Sequence, residues 1–122
     1  MIFAKRVFLV AGIYGLVVLV PQYFFEAKMG HDYPPAITHA EFYYGFIGVA
    51  VAFQLVFLVI SRDPVRYRAM MLPSIVEKAS FVLAVAVLVA LGRASAPIVA
   101  GALGDGVLGV LFCVSYVRTP RS

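Results

Sequence analysis

Three acidic residues stand where a carboxylate could do chemistry: Glu41, Glu77 and Asp105. Asp105 lies in GALGDGVLGV, a glycine-rich apolar run at 101–110. An ionisable group inside such a run exchanges a proton, holds a cationic ligand, or hydrogen-bonds a neighbouring helix. If the run is a membrane-spanning helix, Asp105 is 8 residues from Pro97 and 12 from Val117, or ~12 Å and ~18 Å from its ends. No helix cap is available at that depth, and a bare charge there costs about 3 kcal/mol or more. Asp105 therefore needs a partner or water. Tyr43 and Tyr44, one turn or more into another apolar run, and Tyr14 in a third are the candidates. A tyrosine hydroxyl is the expected nearest side-chain partner. Together with Glu41 these residues would line an outward-opening pocket. Lys78 is expected only ~6 Å above the opposite end of its own span, too far from Asp105 in depth.

Glu41 and Glu77 have simpler explanations. Thr38-His39-Ala40-Glu41 and Ser74-Ile75-Val76-Glu77 both fit the capping box, in which the acid reaches back to a free backbone N–H at a helix start. Phe42, Tyr43 and Tyr44 follow Glu41 directly, so its carboxylate is either a cap alone or a cap that also faces an aromatic vestibule. Glu77, Lys78 and Gln54 share a depth nearer the other end. They form either a capped helix end or an inner charged cluster that gates or binds a partner. Adjacent residues lie about 100° apart on a helix, so Glu77 and Lys78 do not pair along one face. The start of this helix is ambiguous, because Asp63-Pro64 is a good N-cap and first-turn proline in its own right.

Other chemistry is poorly supported. His31 and His39 flank a loop, with no histidine deep in another span to complete a haem or metal site. The single Cys113 excludes an internal disulfide and reads as apolar packing. No phosphate loop, nucleophile elbow or HExxH pattern occurs, and no cofactor or metal is expected. Gly101, Asp105, Gly109 and Cys113 recur every four residues, with Gly104 beside them. Small residues at that spacing admit close helix approach, and Gly12, Gly15, Gly45, Gly48 and Ala52 on other spans could meet them.

The elements that would position these residues follow from composition. Of the 122 residues, 63% are hydrophobic and 13% charged, against roughly 45–50% and about 25% in soluble domains. Four apolar stretches near 7–25, 38–60, 74–91 and 97–117 are each about the length an α-helix needs to cross a bilayer. Segments rich in Pro, Gly and Asp separate them. The first lacks a small-x-small cleavage pattern and reads as a retained span. With the N-terminus inside, Lys5, Arg6, Arg62, Arg66, Arg68, Arg118 and Arg121 all fall on the inner side, while only Lys28 and Arg93 fall outside. That bias places both termini in the cytoplasm. It also removes the case for nucleic acid, because the net charge of +4 is a topology signal. Tyr23, Phe24, Phe25, Tyr33, Tyr43 and Tyr44 collect at the outer end, with Tyr67 and Tyr116 at the inner end, as an interfacial belt or, for the outer set, a pocket lining.

The runs HAEFYYGFIGVA, SRDPVRYRAMMLPSIVEKASF and GDGVLGVLFCVSYVRT resemble a group of uncharacterised bacterial four-helix inner-membrane proteins. The resemblance covers most of the chain after residue 38 and implies a small multi-pass protein of the bacterial inner membrane, with no activity attached. Helix number and size are also similar, more distantly, to DoxX-like proteins. Small multidrug resistance transporters share the length and the four spans, but their acidic residue lies in the first span, where this chain has none.

The expected fold is all-α: one domain, residues 1–122, folded as a bundle of four transmembrane helices. The leading functional reading is a non-enzymatic accessory or assembly subunit, or a homo-oligomer, that works by helix packing through Gly101, Gly104, Gly109, Gly45 and Gly48. Its partners would be membrane lipids and itself or another membrane protein. The alternative is a ligand-binding or proton- or cation-coupled transport protein, with its pocket at Asp105, Glu41, Tyr43, Tyr44 and Tyr14. The third is an enzyme on a lipid-soluble substrate, using Glu41 and Asp105 as acid and base.

Overall fold

A computed structural model describes residues 2–32 and 36–121; Tyr33 lies outside the described residues. Helix α1 (Ile2–Leu19) tightens into a 3-10 stretch, Val20–Phe24, at Pro21. A proline lacks the N–H that the α-helical ladder needs there. Helix α2 (Glu26–Asp32) is short, and α3 (Ala40–Arg62) is long. A 3-10 turn, Arg68–Met70, leads into α4 (Met71–Ala90), and α5 is Ala96–Arg118. No strand occurs among the described residues.

Four segments can span a membrane: Ile2–Phe24, Ala40–Arg62, Arg68–Ala90 and Ala96–Arg118, each of 23 residues with mean hydropathy of 1.9 to 2.2. At 1.5 Å per residue each is ~34 Å long, enough for a hydrocarbon layer of about 30 Å. Large apolar side chains face outward on all four, among them Val17, Phe42, Leu83 and Val117 at 68, 70, 67 and 78% exposure. Such a surface is suited to lipid. The fold is thus the expected all-α bundle of four membrane-spanning helices.

The helix starts differ from expectation, for local reasons. Neither capping box forms. The N-cap of α3 is His39, which makes no side-chain capping bond; its Nδ1 lies 3.2 Å from the Glu41 carboxylate and so engages the acid instead. Ser74 lies inside α4, where its Oγ donates to the Met70 carbonyl at 2.8 Å. Pro73 fits the first turn of a helix that starts at Met71, because N–H groups there have no helical acceptor. Asp63 accepts from the Arg66 N–H at 3.3 Å and so shapes the turn after α3 rather than starting α4. Arg68 Nε donates to the carbonyls of Tyr116 (3.1 Å) and Thr119 (2.8 Å), tying that turn to the end of α5. The connection after the first span, expected as plain loop, contains α2. An i,i+4 ion pair, Lys28 to Asp32 at 2.8 Å, supports that helix. Hydrogen bonds from Lys28 and His31 hold the Asp32 carboxyl below its ordinary pKa.

The spans pack as two antiparallel pairs, α1 with α3 and α4 with α5, joined where α1 meets α5; α3 and α4 touch sparsely. At the end carrying the chain termini, Phe8, Phe57 and Phe112 are fully buried. Phe8 stacks on Phe112 with ring centroids 4.2 Å apart, and Phe57 meets Phe112 edge-on at 4.9 Å. Ala4, Val7, Ala11, Ile60 and Met71 complete this core.

The close helix approach is not where the glycine stripe puts it. Among the described residues, a Cβ at Gly45 or Gly101 would meet nothing within 4 Å, and at Gly104 or Gly48 only a tyrosine hydroxyl at 3.9 or 3.4 Å. Gly109 is tight, with the Lys78 Cβ at 3.3 Å. The densest seam is α1 on α3: a Cβ at Gly12 would stand 2.7 Å from Leu58 and 3.0 Å from the Gln54 carbonyl oxygen, and at Gly15 it would overlap the Gln54 side chain. The reason is geometric. The stripe on α5 turns toward α4 and toward the open space between the pairs, leaving α1 to supply the glycines of its own seam. Gly12→Leu should therefore destabilise the bundle by about 1–3 kcal/mol. Gly45→Ala should be neutral or stabilise by up to about 1 kcal/mol, because it only restricts the unfolded chain. Unfolding followed by circular dichroism in mixed micelles separates the two variants.

Candidate functional site

Between the two helix pairs, on the side where α3 and α4 fail to close, lies a cleft of about 880 Å³. Its lining falls on all four spans and includes Tyr14, Gln54, Glu77, Lys78, Gly101 and Asp105. Exposed apolar side chains rim it: Phe46 and Val49 on α3 and Val76 on α4. The cleft extends to Gln22 and Met29 at the loop end. At the other end the Phe8–Phe57–Phe112 core closes the bundle, and Lys78 Nζ sits 5.2 Å from the centre of the Phe57 ring. The charged floor of the cleft therefore rests on the aromatic core.

Lys78 organises that floor. Its side chain is 6% exposed, and Nζ donates to Asp105 Oδ1 at 3.3 Å and lies 3.4 Å from Glu77 Oε2. The expected tyrosine partner is thus replaced by a lysine. Two features explain the change. Helix α4 starts at Met71, seven residues before Lys78, so Lys78 is ~10 Å along it rather than ~6 Å. Its Cβ lies over Gly109, four residues beyond Asp105 in antiparallel α5. The lysine stem then climbs one turn toward Asp105 instead of reaching for the nearer end. Glu77 and Lys78 also pair, contrary to the expectation for neighbouring positions, because both long side chains turn to the same cleft.

The remaining candidates divide. Tyr14 lines the cleft, with its hydroxyl 3.9 Å from where a Cβ on Gly104 would stand. Gln54 is 2% exposed; its Nε2 donates to the Ala50 carbonyl at 2.8 Å, and its Oε1 accepts no hydrogen bond. Glu41, Tyr43 and Tyr44 are not in the cleft lining. Glu41 is exposed beside His39, Tyr43 donates to the Gln22 carbonyl at 2.5 Å, and Tyr44 stacks on Tyr23 with centroids 6.1 Å apart. The structure accordingly merges the two expected sets into one, joining Asp105 and Tyr14 to Glu77, Lys78 and Gln54. It does not bring Glu41 together with Asp105 as an acid–base pair. Cys113 is exposed on α5 rather than packed. No group of three or more His, Cys, Asp or Glu suited to a metal ion occurs among the described residues.

The partner missed from sequence had a signal. Gly109 one turn after Asp105 makes room for a long side chain from a neighbouring helix, and Pro73 is compatible with a helix starting before it.

Chemically, the floor offers two carboxylates, one ammonium and a buried amide oxygen within apolar walls. Removing one member of a buried ionic set leaves an uncompensated charge and costs about 3–5 kcal/mol. Lys78→Met should destabilise the bundle by that order. Adding Asp105→Asn to it should recover part of the loss, since one fewer carboxylate is then unpaired. A double-mutant cycle on unfolding in micelles measures the coupling, which should exceed about 1 kcal/mol. Strict additivity would show that the contact carries no energy.

No family model, curated protein or solved structure matches the chain.

Proposed function

We propose that the protein is a small multi-pass protein of the bacterial inner membrane, with cytoplasmic termini, that binds an amphipathic molecule drawn from the bilayer. The observation that carries this reading is that Asp105 lines an open cleft instead of being sealed against a helix. An acid used only for packing would be enclosed by its partner helix. The cleft's size falls within the range of small-molecule sites, about 300–1,000 Å³, and such sites pair apolar walls with a few convergent polar groups. The sparse α3–α4 seam gives a ligand a lateral route from lipid. The bacterial inner-membrane placement rests on the resemblance of HAEFYYGFIGVA and its companion runs, and the orientation on the Lys and Arg distribution. In that orientation the cleft belongs to the outer half and the phenylalanine core closes the cytoplasmic half.

A second reading, assembly with another copy or another membrane protein, is favoured by one observation: Gly45 is exposed and meets no neighbour among the described residues. Cysteine crosslinking of Gly45→Cys in native membranes tests it, and recovery of monomer alone rejects it.

For the leading reading, dodecanol is a suitable neutral probe. The full chain in nanodiscs should bind it saturably above empty nanodiscs. Gly101→Phe, whose new side chain enters the cleft without meeting a neighbour at Cβ, should weaken binding by about tenfold or more. Calorimetry reads both values. Absence of a saturable component in the wild-type chain would dismiss the cleft as a binding site.

A further inference from the structure

We infer that the cleft selects a protonated amphipathic amine, whose ammonium head docks at Asp105 and Glu77 and displaces one carboxyl proton. This rests on the binding role proposed above and adds the chemical class of the ligand.

Among the described lining residues, the charged groups are Glu77 and Lys78 from α4 and Asp105 from α5. The α1 wall contributes the Tyr14 phenol and the α3 wall the Gln54 amide, neither of them a carboxyl or an amine. Two carboxylates face one ammonium, so full ionisation leaves one negative charge uncompensated in an apolar site. An unpaired charge in such surroundings is strongly disfavoured. Either a proton or a cation must supply the balance.

Hydrogen bonding points the same way. Among the described residues, Glu77 Oε2 and Gln54 Oε1 are both buried and accept no hydrogen bond, and the one cation near Glu77 Oε2 is the Lys78 ammonium that already donates to Asp105. The Gln54 amide nitrogen is committed to the Ala50 carbonyl, and the single Lys78 ammonium is shared between two acids, donating to Asp105 and lying 3.4 Å from Glu77 Oε2. An alkylammonium head brings three N–H donors and one positive charge. An anionic head would meet two carboxylates before reaching Lys78, which is 6% exposed. Aromatic walls add to the case: Phe46, Phe53 and Phe81 line the cleft, and ring faces attract cations.

The exchange balances. R–NH3+ enters, one O–H bond of the Asp105–Glu77 pair breaks, and H+ leaves to water, so the net charge of the cleft is unchanged. No other bond forms or breaks.

The test compares dodecylammonium with dodecanol, its neutral twin, on the full chain in nanodiscs, each corrected for partition into empty nanodiscs. The amine should bind at least about tenfold more tightly than the alcohol. Calorimetry at one pH in buffers of different ionisation enthalpy should find about one proton released per amine bound and none per alcohol. Asp105→Asn and Glu77→Gln each leave one carboxylate to one ammonium, so each should remove both the preference and the proton release. Circular dichroism melting identifies any variant that fails to fold, and the other variant then carries the test. Equal affinity for amine and alcohol in the wild-type chain would overturn the charge inference and leave the cleft as a binding site. Saturable binding of neither probe would overturn the binding role itself. A preference for amine that survives in both folded variants would place the selectivity elsewhere and overturn the assignment to this pair.

Discussion

An ammonium group buried to 6% exposure among four apolar helices has to find its counter-charge inside the same bundle. Lys78 finds two, and this requirement sets much else in the molecule. To reach Asp105 the lysine stem must pass over α5 at a residue without a side chain, and Gly109 is that residue. The register of α4 against α5 is thereby fixed to within a turn. The Arg68 bonds to the last carbonyls of α5 hold the same register at the helix ends, with the Arg68 guanidinium 3.8 Å from the centre of the Tyr116 ring. Two polar contacts about ten residues apart in sequence thus align one helix pair, where apolar packing alone would allow sliding.

The two halves of the bundle are built to opposite ends. Near the termini, Phe8, Phe57 and Phe112 come from three different helices and fill the space between the pairs. Toward the loops the corresponding positions are Gly15, Ala50 and Gly101; Gln54 takes up the room at Gly15, and the space beside Gly101 is left open as part of the cleft. The cleft is therefore a consequence of side-chain volume on a common helical frame, large at one end and small at the other. Its lateral gap follows from topology: α1 binds both α3 and α5, while nothing comparable draws α3 to α4. In water such an apolar gap would collapse or aggregate. In a bilayer acyl chains can occupy it, which makes an open lateral route compatible with a stable fold.

The architecture was legible in the sequence because bilayer thickness imposes a length on apolar segments. Four spans are found where four were expected, although they begin and end a few residues away. The acids were legible as unusual residues, but their neighbours were not. The error over Lys78 came from treating Ser74-x-x-Glu77 as a helix start; a proline in the first turn is equally consistent with a start two residues before it. A shift of one turn then altered which depths could meet. Glu41 illustrates the same limit, since His39 competes for its carboxylate and only three-dimensional placement decides the winner. The glycines misled for a different reason. Periodicity identifies a narrow face of a helix, but not what the face opposes, and Gly101 opposes empty space.

The position of the charged floor also bears on what the protein can do with a ligand. A carrier must expose its site to each side of the membrane in turn, so the material beneath Lys78 and Asp105 would have to open. That material is three interlocked phenylalanine rings with no exposed surface. Each aromatic pair contributes about 0.5–1.5 kcal/mol beyond its burial, and separating them would also move α5 away from α1 along the seam they share. Binding from the bilayer or the loop side requires none of this, because the cleft is already open there. The proposed retention of an amphipathic molecule thus needs only this one arrangement of the helices. Transport across the membrane would need a second arrangement in which α1 and α5 part at the phenylalanine core.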